Sequence, residues 1–150
     1  MISRPAKSSS FEAGGYQAGD FISDRYVLVR RLGEGGMGVV WLAHSINLDV
    51  HVAVKLLHGT LAGTHAVDRM SREARAAAKL GHYAMCRVLD FGQTGRGHPF
   101  IAMELLHGES LREVLDRKAR LDAVRAVRTL LPIADALATA HDKGIVRRAR

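Results

Sequence analysis

The run Leu32-Gly33-Glu34-Gly35-Gly36-Met37-Gly38-Val39-Val40, followed by Val52-Ala53-Val54-Lys55, constrains this chain more than any other feature. Glycines at 33, 35 and 38 remove the side chains that would hold a backbone away from a polyphosphate, and they permit the dihedral angles of a tight hairpin. A lysine on a later strand brings a cation to the same place. Together they read as a phosphate cover with its counter-charge, the mark of a nucleotide-binding lobe.

Glycine spacing alone is shared with dinucleotide-binding folds, in which a strand precedes the loop and a helix follows it. Here β-rich runs follow instead, Val39-Val40-Trp41-Leu42-Ala43 and Val50-His51-Val52-Ala53-Val54, parted by a polar turn from Asn47 to Asp49. That places the glycines in a strand-loop-strand hairpin. A Walker loop is excluded because no Gly-Lys-Ser or Gly-Lys-Thr follows.

Alternation along an extended strand puts His51, Ala53, Lys55 and Leu57 on one face, and Val52, Val54 and Leu56 on the other. A small residue therefore sits beside the lysine, where a flat base could pack. Residues 64–81 read as a helix with Thr64 as N-cap and Gly81 as the stop, and Ala66, Met70, Ala74, Ala77 and Leu80 form its inward stripe. Glu73 borders that stripe, and a carboxylate near a buried face needs a partner such as Lys55. A solvated Glu73 beside Arg69 or Arg72 is the plainer alternative. Further on, Pro99-Phe100-Ile101-Ala102-Met103-Glu104-Leu105-Leu106 is an apolar run by itself no more than a buried strand, and Ala140-His141-Asp142-Lys143-Gly144-Ile145-Val146 ends a long helical pattern.

In this order and spacing, residues 26 to 146 resemble the front of a bacterial serine/threonine protein kinase of the eukaryotic-like type. The resemblance implies that Lys55 contacts the α/β-phosphates of ATP and pairs with Glu73. It makes Leu32, Gly33, Glu34, Gly35, Gly36, Met37, Gly38, Val39 and Val40 the phosphate cover, with Ala53 beside the base. It further makes Met103 the gatekeeper and puts backbone groups around Glu104 and Leu106 on the adenine edge. Mg2+ accompanies ATP in that family, but its ligands are not matched here, so no metal-ligating residue is assigned.

Asp90-Phe91-Gly92 spells the family's metal-binding tripeptide in the wrong place, before the hinge. Asp-x-Gly is common turn chemistry, so Asp90 is expected to be a turn residue at a strand end. The 122–143 segment carries apolar residues at Val124, Val127, Leu130, Leu131, Ile133, Ala134, Leu137 and Ala138, a wide apolar face on one helix that Pro132 should kink. After Val146 the family continues His-Arg-Asp, whereas this chain reads Arg147-Arg148-Ala149-Arg150, with Ala149 where the catalytic base would fall.

Four parts follow: a flexible leader at 1–22, the sheet-containing lobe and hinge at 23–106, the first helices of a second lobe at 107–146, and a basic tail at 147–150. The leader has no apolar stretch of the signal-peptide kind, and no segment reads as membrane-spanning. The single Cys86 excludes an internal disulfide, fits a cytoplasmic location and reads as a small buried hydrophobe. Net charge of +7 is concentrated in Lys143, Arg147, Arg148 and Arg150 near the end, so nucleic acid is not an expected partner. Histidines at 44, 51, 58 and 65 recur every seventh residue, but strands and glycine interrupt any helix that would gather them around a metal.

The fold class expected is α+β: a five-stranded antiparallel sheet with one packed helix, then two helices of an incomplete helical lobe. The function expected is ATP binding by a serine/threonine-kinase-like lobe, inactive alone because the catalytic loop and metal-binding motif are missing. ATP is the expected partner, with an intact kinase or a protein substrate as the macromolecular one. The alternative is a non-catalytic interaction module that binds and regulates an intact kinase.

Overall fold

The computed structural model describes residues 15–36, 38–57, 71–72, 74–75 and 78–145. Six strands pair antiparallel in the order β1-β2-β3-β4-β6-β5: β1 (Phe21–Ile22), β2 (Tyr26–Gly35), β3 (Gly38–Ser45), β4 (Val50–Leu57), β5 (Val88–Gln93) and β6 (Pro99–Glu104). The expected five strands are present, and two-residue β1 adds an edge. Residues 71–72, 74–75 and 78–80 are helical. They precede α1 (Leu111–Lys118) and α2 (Ala123–Asp142).

Cross-strand partners share a face of a sheet. Val39, Leu56 and Phe100 form one row and Trp41, Val54 and Ala102 the next, and none is more than 4% exposed. This face is the hydrophobic core, and it fixes which residues must point the other way.

Residues 15–22, which composition assigns to a leader, belong to the fold. Ile22 is fully buried, and the Tyr16 hydroxyl donates to Thr94 Oγ1 at 2.6 Å while the Arg96 guanidinium lies 4.7 Å over its ring. Asp90 also departs from its expected place: it sits within β5, opposite Ala102, not at a strand end. Arg25 Nη1 lies 2.6 Å from its carboxylate and the Tyr26 hydroxyl donates to it at 2.9 Å. The Arg25 guanidinium in turn lies 5.8 Å from the Phe100 ring centroid.

Both later helices start where side chains satisfy their free amides. Ser110 and Glu113 form a reciprocal capping box on α1, and Asp122 accepts from the Arg125 amide on α2. α2 runs through Pro132, and the face it buries is made of small residues, Ala136 and Ala140. Val124, Val127, Leu130, Leu131 and Leu137 face solvent, each more than half exposed. Cys86 is half-buried, not buried. No helix among the described residues is long and apolar enough to cross a membrane.

Burial first, and then the hydrogen bond to Asp90, push the Tyr26 phenol up to about 12. An unfolded tyrosine ionises near pH 10. The stabilisation that accompanies the raised value is therefore complete below about pH 10 and is lost as the pH climbs through that of the folded phenol. Alkaline titration should show one phenol ionising late, and Asp90→Asn should bring it earlier; unchanged titration in the variant would remove Asp90 as a cause. The exposed apolar face of α2 should promote self-association. A Val127→Lys, Leu131→Lys variant is expected to stay monodisperse in light scattering at higher concentration than the parent.

Candidate functional site

On the face away from the core, register brings the residues singled out by sequence into two rows. Gly33 of β2 lies opposite Val40 of β3, which lies opposite Lys55 of β4, which lies opposite Ile101 of β6. In the neighbouring row, Leu42, Ala53 and Met103 are successive partners. Val40, Leu42, Lys55, Ile101 and Met103 are half-buried and the small Ala53 between Leu42 and Met103 is buried, so this side of the sheet is partly covered.

The hairpin over this face closes where Gly35 pairs with Gly38, across the two residues Gly36 and Met37. Met37 lies outside the described residues. Two bulges precede the closure, where Val29 and Leu32 are extra residues on β2. Bulges add local twist, and here they shift the register so that Gly33 falls opposite Val40.

The glycines divide by cause. A Cβ on Gly38, which has φ +152°, would lie 2.0 Å from the Leu56 carbonyl oxygen. Gly38 is therefore fixed by the approach of β3 to β4. A Cβ on Gly33, Gly35 or Gly36 would meet nothing within 4 Å, and none of the three has positive φ. Among the described residues neither packing nor a positive φ requires glycine at those positions.

Not every residue of the expected cover faces the site. Val39 lies in the core, 1% exposed, and supports the hairpin from behind. Its cross-strand partner is Glu34, whose carboxylate lies 3.7 Å from Arg31 Nη1. Leu32, at its bulge, is 40% exposed. Leu42 and Ile101 were missed, although each stands two residues from one that sequence named, Val40 and Met103, and period-two alternation was enough to find them.

At the far end of β6, the Glu104 amide donates to the Arg87 carbonyl at 3.0 Å and its Oε1 accepts from the Arg87 amide at 2.6 Å. The end of β6 is thus tied to the start of β5. Burial pushes the Cys86 thiol up, and Glu104 adds to the shift; the thiol lies 3.8 Å from the Glu104 carbonyl. Leu106 is 69% exposed, and among the described residues its backbone groups have no hydrogen-bond partner. Glu73 lies outside the described residues, so its expected pairing with Lys55 does too. Lys55 forms no ion pair among the described residues.

The protein kinase domain family model matches residues 26–148. Serine/threonine-protein kinase pkn3 of Myxococcus xanthus is 40% identical over 131 residues, which cover 87% of this chain and 24% of that protein. Serine/threonine-protein kinase PknL of Mycobacterium tuberculosis is 36% identical over 128 residues, 85% of this chain and 32% of that protein. The crystal structure of the Mycobacterium tuberculosis PknI kinase domain superposes with a TM-score of 0.78 at 27% identity, covering 91% of this chain and 55% of that one. The chain spans a third or less of the two curated relatives' length.

Gly38→Ala should destabilise the fold by about 2 kcal/mol or more, because the obstacle is backbone. Gly33→Ala and Gly36→Ala should stay within about 1 kcal/mol of the parent. Urea midpoints measure the contrast; equal losses at all three positions would show that the hairpin needs every glycine for folding.

Proposed function

The chain belongs to the protein kinase domain family, and from that premise we propose that its half-covered sheet face binds ATP. The observation that carries this reading is the group Gly33, Gly35 and Gly36, at which a Cβ would meet nothing within 4 Å among the described residues. A ligand whose phosphates approach the backbone accounts for them. Gly33 shares a row with Lys55, so the ammonium is on the face such phosphates would occupy. Ala53, beside Met103, leaves room for a flat base, and Leu106 offers unpaired backbone groups for its edge.

In this reading Lys55 holds the α/β-phosphates and Glu73 orients Lys55. The relatives are serine/threonine-protein kinases, and the corresponding reaction transfers the ATP γ-phosphate to a protein hydroxyl. That transfer depends on a positioned base and on Mg2+ as a neutraliser of developing charge. Among the described residues no three His, Cys, Asp or Glu side chains are grouped to hold a metal, and the Asp90 carboxylate is engaged by Arg25 and Tyr26. These described residues do not fit Mg2+. Ala149 stands where the resemblance places the base, and in this reading residues 1–150 bind the nucleotide without themselves supplying that base.

Titration with ATP tests both halves. Charge-assisted hydrogen bonds contribute about 1.5–3 kcal/mol, so Lys55→Met should weaken binding by roughly tenfold or more. Equal affinity of variant and parent would take Lys55 out of the phosphate site. Phosphorylation of a protein substrate by the purified 150-residue chain, above background, would overturn the expected inactivity.

A further inference from the structure

Two of the histidines spaced seven residues apart meet in space, brought together by strand register and not by a helix. His44 of β3 and His51 of β4 are cross-strand partners, one pair before the turn that joins the strands. Such partners have Cβ atoms about 4.5–5.5 Å apart, and these two imidazoles stand edge to face with centroids 5.7 Å apart. By alternation the pair continues the face that carries the Leu42–Ala53 and Val40–Lys55 pairs. His51 is four residues before Lys55 on β4, roughly 13 Å away. A ligand of the pair therefore lies clear of the ammonium.

Asp49, in the turn with φ +52°, places its Oδ1 3.2 Å from His44 Nε2. A carboxylate favours the proton on the ring nitrogen beside it, and the other nitrogen then keeps its lone pair. This is the arrangement by which a carboxylate orients a histidine that ligates a metal through its far nitrogen. His44 Nδ1 and both nitrogens of His51 have no hydrogen-bond partner among the described residues. His44 is half-buried and His51 is exposed, so an ion from solvent reaches both.

We propose that His44 Nδ1 and a ring nitrogen of His51 form a two-point chelate for a late divalent transition ion, Zn2+, Ni2+ or Cu2+, with Asp49 as the orienting partner. Imidazole nitrogen suits these ions, whereas Mg2+ and Ca2+ take oxygen donors. With metal–nitrogen bonds of about 2.0–2.1 Å, two rings on one tetrahedral ion stand roughly 5 Å apart. Rotation of the exposed His51 side chain closes the difference from the observed separation. Among the described residues no group of three His, Cys, Asp or Glu is placed to hold an ion, so two donors leave the remaining positions to water or to a donor from another molecule. The chelate does not depend on ATP binding.

Ni2+ and Zn2+ titrations of the full chain test it. Paramagnetic Ni2+ should broaden the imidazole resonances of His44 and His51 before those of the other histidines. Calorimetry with Zn2+ should give one site, which His44→Ala or His51→Ala weakens by roughly tenfold or more, because each removes one arm of the chelate. Asp49→Asn should weaken it by roughly tenfold to a hundredfold while the same two resonances still broaden. Mg2+ in large excess should displace nothing. Broadening spread evenly over the histidines, or either histidine variant binding Zn2+ as the parent does, overturns the chelate and leaves the pair as stacked rings only. Parent-like affinity in Asp49→Asn removes Asp49 as the orienting partner, and displacement by Mg2+ overturns the choice of ion.

Discussion

The structure depends on β4 serving two faces at once. Val52, Val54 and Leu56 close the core, while Ala53 and Lys55 look the other way into the half-covered site. Because side chains alternate with a period of two, a one-residue slip would bury Lys55 and expose the core triplet. Burial of an unpaired ammonium is costly, so the register is strongly specified. Gly38 reinforces it, since only a residue without Cβ lets β3 begin against the Leu56 carbonyl. The same contact that fixes the core therefore also aligns Gly33, Val40 and Lys55 in one row.

Around this frame, polar side chains do what a small core cannot. Arg25 bridges Asp90 and the aromatic pair Tyr26 and Phe100, whose rings meet edge to face at 5.9 Å. Arg31 lies 5.3 Å over Trp41 at the second bulge. Tyr16 pins the segment before β1 to the β5–β6 turn through Thr94 and His98. The Arg25–Asp90 and Tyr16–Thr94 contacts join segments far apart in sequence.

What could be read from the sequence follows from range. Glycine spacing, strand alternation around Lys55 and the apolar pattern of 122–143 are local, and they gave the hairpin, the face that Ala53 and Lys55 share, and the long helix. Asp90 was misplaced because Asp-x-Gly is judged by its neighbours, whereas Arg25 and Tyr26 decide its role from sixty-odd residues away. Tyr16 and Ile22 were assigned to a leader on composition for the same reason. Val39 was named for its place in a motif, and motifs count consecutive residues where a strand sorts them by face. The Ser110–Glu113 capping box was available in the sequence as Ser-x-x-Glu. The tie from Lys143 Nζ to the Lys79 and Leu80 carbonyls was not, because nothing local shows which helix end a lysine will meet.

α2 divides its surface against the usual pattern for a surface helix, in which the largest apolar residues are those that dock. Here Ala136 and Ala140 are buried, and the leucines and valines opposite them are not. Small side chains allow close approach but bury little apolar area, so docking of this face gains little from the hydrophobic effect. Directional contacts then matter more: Lys143 on the Lys79 and Leu80 carbonyls, and Asp135 on His82. An attachment made of a few charge-assisted hydrogen bonds holds an angle without demanding a large dry interface. Here it joins α2 to the helix end at Leu80 and to His82, where alanines alone would hold the angle weakly.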